Sequence, residues 1–485
     1  MGARSFGVQL LLKRRLPPLC AWVNAKEMNT NTKSTQMPKG QHAKAILSLG
    51  LPLIGGHLAQ FSIGLTDTIM MGWYSVEGLA AVTLASTFFF VLFIFGSGFA
   101  QAVMPLVASQ FAENDDVQMR RTTRMGLWMS FVFALAVMPL FYFSEGLLLA
   151  LGQTPELSAQ AQVYLRIAGW GVTPALGVMV LKSYLAALER TQVVLCVTLI
   201  AMVVNGFANY ALIFGNWGAP ELGLRGSAIA SLGVQILSLL VIAGYVLWAL
   251  PQQKIFARLW KPDWDAFFLV GRLGVPIGFT ILAEVGLFAT STLMMGWLGT
   301  IQLAAHGVAL QLASLTFMIH LGLSNAATVR SGNALGRKDP DHLMRGAKVV
   351  IAMSLLTAFL TIIVFVIIPE PLISIFLDRD ESNRAEIMAI GALLLLMAGI
   401  FQLVDAAQVM ALGLLRGLRD TKVPMSLAIF SYWVVGVPCS YVFGFAFKYE
   451  GVGVWGGLVV GLAVAAVLMT ERFFRLGPSL ARKGV

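Results

Sequence analysis

Three carboxylates stand where carboxylates are costly. Asp67, Glu284 and Asp405 each interrupt a long apolar run. An ionisable group at the centre of a bilayer costs about 2.5–3.5 kcal/mol on insertion scales. No Lys or Arg is expected at comparable depth to neutralise them. An acid held protonated for packing accounts for one such residue more readily than for three. Unpaired acids in a polar cavity suit cation or proton binding, because both compete for the same oxygens. Asn205 and Asn209 are spaced i, i+4 and share a helix face. They suit two roles equally: hydrogen bonds between helices, or carbonyl-oxygen ligands near Asp67. His57, His306 and His320 have no second His or Cys at metal-ligand spacing, and the expectation is neutral, packed, hydrogen-bonded rings. Cys20, Cys196 and Cys439 form neither a disulfide set nor a metal cluster.

The elements that must position these residues follow from composition. The chain has 485 residues, 58% hydrophobic and 12% charged, with a mean hydropathy of +0.78. A soluble chain carries roughly 45–50% apolar and about 25% charged residues. That excludes soluble multidomain enzymes, disordered scaffolds and secreted disulfide frameworks. A helical span needs about 20 mostly apolar residues, and twelve runs qualify: 45–72, 80–109, 123–143, 160–183, 193–215, 224–249, 270–297, 303–329, 346–369, 386–412, 424–446 and 451–473. They are too long for strands and lack the alternation of an outer-membrane barrel. The fold class is an all-α integral membrane protein. Motifs of intramembrane hydrolysis are absent from the sequence, and no enzyme activity or organic cofactor is expected.

The net charge of +10 does not point to nucleic acid, because the basic residues lie in short segments between apolar runs. With the N-terminus in the cytoplasm, all Lys and Arg but Arg166, Arg225, Arg379, Arg384 and Lys448 fall in cytoplasmic segments. Both termini are then cytoplasmic. Residues 1–43 read as a disordered basic extension, with Met28 and Met37 as alternative starts to Met1, and 474–485 as a basic tail. Pro52, Pro276, Pro105, Pro174 and Pro438 are candidate bending points.

An internal repeat organises the rest. Shifted by 224 positions, Leu49-Gly50-Leu51-Pro52 falls on Leu273-Gly274-Val275-Pro276, and Met70-Met71-Gly72-Trp73 on Met294-Met295-Gly296-Trp297. Later the offset becomes 230, with Leu188, Thr191 and Leu222-Gly223 on Leu418, Thr421 and Val452-Gly453. Six helices are therefore repeated in the same direction, as an N-lobe (44–249), a cytoplasmic linker (250–269) and a C-lobe (270–473). Two such lobes form a transporter architecture. The acids break the symmetry: Asp67 aligns with Ser291, Glu284 with Gln60 and Asp405 with Ala175.

At this point the chain resembles the multidrug and toxic compound extrusion (MATE) family, in its NorM-type branch, from about residue 45 to 473. Four stretches carry the resemblance: Thr66–Gly72; Asn205–Asn209 with Gly218–Gly223; Ala283-Glu284-Val285 with Leu303–His306; and Gln402–Gln408 with Leu415–Thr421. The resemblance implies efflux of small organic cations, drugs among them, driven by inward movement of Na⁺ or H⁺. It implies a C-lobe cation site at Glu284 and Asp405, which would be the metal ligands if the ion is Na⁺. It implies an N-lobe polar cluster of Asp67, Asn205 and Asn209. Phe401 stands where some relatives have a tyrosine, so no phenol ligand is expected there. The expected setting is a multi-pass protein of the bacterial inner membrane, a monomer among membrane lipids. The alternative weighed is a lipid-linked-oligosaccharide flippase. Its phosphate-bearing cargo calls for buried Arg or Lys, where this chain buries acids.

Overall fold

In a computed structural model of the chain, residues 37–377 and 383–483 are described. The extension expected over 1–43 therefore falls mostly outside the described residues, as does Arg379. Among the described residues, twelve helices are long and apolar enough to cross a membrane. They are α1 Lys39–Tyr74, α2 Val76–Ala112, α3 Asp116–Tyr142, α4 Pro155–Ala187, α5 Thr191–Phe214, α6 Leu224–Ala249, α7 Trp264–Leu298, α8 Thr300–Gly336, α9 Pro340–Ile367, α10 Arg384–Gly417, α11 Lys422–Ala446 and α12 Glu450–Lys483. Short helices Ser144–Ala150 and Pro369–Ser374 sit in two of the connections.

Most of these helices overrun the apolar spans expected of them, and at the starts of α2, α3, α7 and α9 a polar side chain caps the added turn. Asp115 accepts from the Val117 and Gln118 N–H groups to start α3, and Asp339 accepts from His342 N–H to start α9. Each such bond satisfies an orphan donor of the first turn. At the end of α10 the overrun takes in Arg416, beyond the span drawn over 386–412. The expectation that no Lys or Arg approaches the depth of the acids is thereby corrected for Arg416, whose charge is felt at Glu284.

The prolines mark local departures. The 3₁₀ turn Gly169–Gly171 breaks α4 just ahead of Pro174. Pro438 lies between two π-helical stretches of α11, Phe430–Gly436 and Val442–Ala446. Wider π turns re-aim side chains and recur at functional positions.

The end of the bundle where α1 begins is called here the near end. Three apolar clusters fill the two sets of six helices. A fourth lies between them, with Phe99, Ala102 and Leu106 of α2 against Val270, Leu273 and Ile277 of α7. There Gly98 sits so close that a Cβ on it would meet the Gly274 oxygen and Gly278 nitrogen at 2.5 Å. Phe95 stacks edge-on against Phe279 with centroids 5.1 Å apart. On the other flank Asn325 of α8 donates to His57 of α1 at 3.0 Å. These contacts between the halves fall in the near half of the helices.

The α6–α7 connection is pinned to α3. Arg121 pairs with Asp263, Arg124 donates to the Ile255 and Lys254 oxygens, and the Trp128 indole to the Leu259 oxygen. Burial alone raises the Asp263 carboxyl. The hydrogen bonds from Arg121 and the Ala266 N–H, with the Arg121 charge, outweigh it and hold the group below its ordinary value. The contribution of this pair is thus present above the ordinary carboxylate range and lost as pH falls through the lowered value.

Candidate functional site

The five candidate residues gather into two groups, one in each half of the chain. In the first, Asp67 projects from the far half of α1 toward α5 and α6. Its Oδ1 accepts from Asn205 at 2.9 Å and from Asn209 at 2.5 Å, and its Oδ2 from the Ser231 hydroxyl at 3.3 Å. The i, i+4 spacing of the two asparagines presents both amides to one carboxylate. They act here as donors: Asn209 also donates to the Asn205 oxygen at 3.4 Å, while its own oxygen is buried without a partner. Tyr164 of α4 lies within electrostatic reach of Asp67.

The second group is built differently. Asp405 of α10 is 1% exposed, and both of its carboxylate oxygens are buried without a hydrogen-bond partner. Glu284 of α7, half-buried, is near enough to act on it electrostatically. Tyr432 of α11, fully buried, lies in the same neighbourhood and accepts from Gln408 at 2.8 Å. Arg416 approaches Glu284 from the near side and donates to Gln101 of α2 at 3.2 Å. A carboxyl with three donors has its acceptor capacity partly met, whereas a buried carboxyl with none requires a proton or a cation. The two groups thus differ in what they demand of a ligand.

Ser231, Tyr432 and Arg416 were not singled out from the sequence. Serines abound in membrane helices, so Ser231 carried no signal. Gly436, which ends the π stretch that bears Tyr432, and Pro438 just beyond it were the available cue. Arg416 lies beyond the apolar span drawn for α10.

Phe401, one turn before Asp405, is buried against Phe288 and Trp455, each with centroids 5.7 Å away. The three histidines are hydrogen-bonded. An indole N–H can only donate, so the bond from Trp455 to His306 Nδ1 at 3.1 Å puts the proton on Nε2. That nitrogen then donates to Thr292 Oγ1 at 3.1 Å, whose own proton goes to the Phe288 oxygen. His320 pairs with Ser354 at 2.8 Å. Among the described residues no group of three or more His, Cys, Asp or Glu could hold a metal ion.

His306 is therefore a packing residue, with a measurable consequence. In His306→Phe the fully buried Trp455 loses its acceptor, at a cost of about 1–3 kcal/mol. The melting temperature is expected to fall by several degrees with the ion dependence of any transport unchanged. A changed ion dependence at unaltered stability would contradict this assignment.

The MatE family profile matches residues 52–211 and again 276–442, so each half of the chain matches it with starts 224 positions apart. The chain is 46% identical over 437 residues to the "Probable multidrug resistance protein NorM" of Rhizobium meliloti (strain 1021), covering 90% of this chain and 94% of that protein. It is 45% identical over 456 residues to the protein of the same name from Agrobacterium fabrum, with 93% and 98% covered. The crystal structure of the eukaryotic MATE transporter AtDTX14 superposes with a TM-score of 0.81 at 19% identity, over 92% of this chain and 98% of that one. At that identity the likeness is one of fold.

Proposed function

The chain belongs to the MatE family, and from that premise we propose that it exports small organic cations, drugs among them, in exchange for Na⁺ or H⁺ moving inward. The observation that carries this reading is Asp405: a buried carboxyl without a donor, beside Glu284, is a place where a cation or proton must come and go. The lobes are read as 44–249 and 270–473, joined by 250–269, and the cycle as alternating access by their rocking.

In this reading the basic near end faces the cytoplasm of a bacterial cell, with both termini there, and the monomer is the working unit in the inner membrane. From the outside, the coupling ion enters at Glu284 and Asp405. Carboxylate oxygens suit a hard cation such as Na⁺ as well as a proton. Its arrival removes the negative charge that held the organic cation, and the cargo leaves outward. A ligand shifts a conformational equilibrium only by its differential affinity for the two states, and the charge change at these two carboxyls supplies that difference. Asp67, with Asn205 and Asn209, offers the N-lobe a carboxyl already held by donors.

The test presents a fluorescent organic cation to the outside of everted vesicles and imposes a Na⁺ gradient, then an H⁺ gradient. Uptake driven by one of them is the expected result, and it names the coupling ion. Uptake under neither would overturn the reading and favour a phosphate-bearing lipid cargo.

A further inference from the structure

The near end is held by two polar contacts that the internal repeat relates to each other. In the turn after α4, the Glu189 carboxylate accepts from Asn333 of α8 at 3.1 Å. In the turn after α10, the Arg419 guanidinium donates to Ser109 of α2 at 2.5 Å. Both contacts cross from one half of the chain to the other. Glu189 and Arg419 are separated by the repeat offset of 230, and Ser109 and Asn333 by the offset of 224. The same contact has thus been made twice.

The two turns match in backbone as well. Glu189 and Arg419 each have φ of 61°, directly past a helix end where glycine is the usual residue. The Arg190 N–H bonds to the Leu185 oxygen at 2.8 Å and the Asp420 N–H to the Leu415 oxygen at 3.0 Å. A long charged side chain stands there against its backbone preference, as Lys338 does in the turn after α8. The polarity is inverted between the copies. At the first contact the turn supplies the acid, within electrostatic reach of Arg330 on α8. At the second the turn supplies the base, within reach of Glu113 just past α2.

We propose that Glu189 and Arg419 are a symmetry-related pair of gate residues that hold the near end shut in this conformation and set the equilibrium between the two access states. They are positioning residues: neither belongs to the carboxyl groups described above. The proposal rests on the alternating-access reading, but its test needs neither cargo nor coupling ion.

Spin labels are placed on cysteines at Val117 and Asp341, exposed positions in the first turns of α3 and α9, in a full-length background with Cys20, Cys196 and Cys439 changed to Ser. Inter-label distances are read by pulsed electron resonance in lipid nanodiscs. The parent should show a dominant short distance. Glu189→Ala and Arg419→Ala should each raise the ratio of long to short distances about tenfold, the usual worth of a hydrogen bond to a charged group. The double variant should exceed either. Glu189→Gln, which keeps an oxygen for Asn333, should restore the parent distribution. A purely structural role would lower the melting temperature and leave the distances alone. Unchanged distances in folded single variants overturn the proposal. Shifted distances without gradient-driven transport would leave the gate standing and fault only the assigned function.

Discussion

Asp405→Asn is expected to reduce gradient-driven transport by about 100-fold or more, to background, while the protein folds and melts at an equal or higher temperature. The two halves of that expectation come from one observation. Asp405 is buried with both oxygens unpaired, so in this geometry the group must carry a proton or a cation or else pay the cost of an isolated buried charge. Asparagine has nearly the same shape and is never charged, so the packing around the side chain survives and a latent charge penalty disappears. What is lost is the ability to release and rebind a positive charge, and with it the coupling. Vesicle uptake under the productive gradient and a thermal melt decide the matter together. Transport at the parental rate by a normally expressed variant would sink the mechanism.

The second large effect is expected at Gly98. Here α2 and α7 meet backbone to backbone, with Gly274 and Gly278 opposite and a Cβ on Gly98 already at 2.5 Å from both. Small residues allow such an approach in membranes. Gly98→Val inserts a branched side chain where not even a methyl group fits, so the near halves cannot close to this distance. Overpacking of this kind costs about 1–3 kcal/mol, and the cost applies only to the conformation in which these helices touch. The variant should therefore populate the other access state and lose transport at least tenfold, with Gly98→Ala intermediate. Parental transport by folded Gly98→Val would show that this contact is not part of the cycle.

The outlines of this fold are plain in the residues themselves. Twelve apolar runs and a repeat at offset 224 are statements about composition and spacing, and both survive folding because a bilayer leaves the chain few other options. The pairing of Asp67 with Asn205 and Asn209 was partly visible, since an i, i+4 spacing fixes which face two side chains share. Its direction was not: whether an amide offers oxygen or N–H depends on the neighbour it meets. Arg416 was hidden for a related reason. Hydropathy ends a span at the first charge, whereas the helix continues beyond it, and the overrun carried a guanidinium toward Glu284. Ser109 and Asn333 could be aligned by the repeat, but nothing in either residue names the turn it would meet.

The uneven division of the acids, one in the first half and two in the second, has an electrical consequence. Exchange of one monovalent organic cation for one coupling ion moves no net charge across the membrane. If both C-lobe carboxyls take up an ion for each cargo cation released, every turnover carries one positive charge inward. Each such charge draws about 2.3 kcal/mol from every 100 mV of membrane voltage. With two carboxyls side by side in one lobe, voltage joins concentration as a source of work whenever both are loaded.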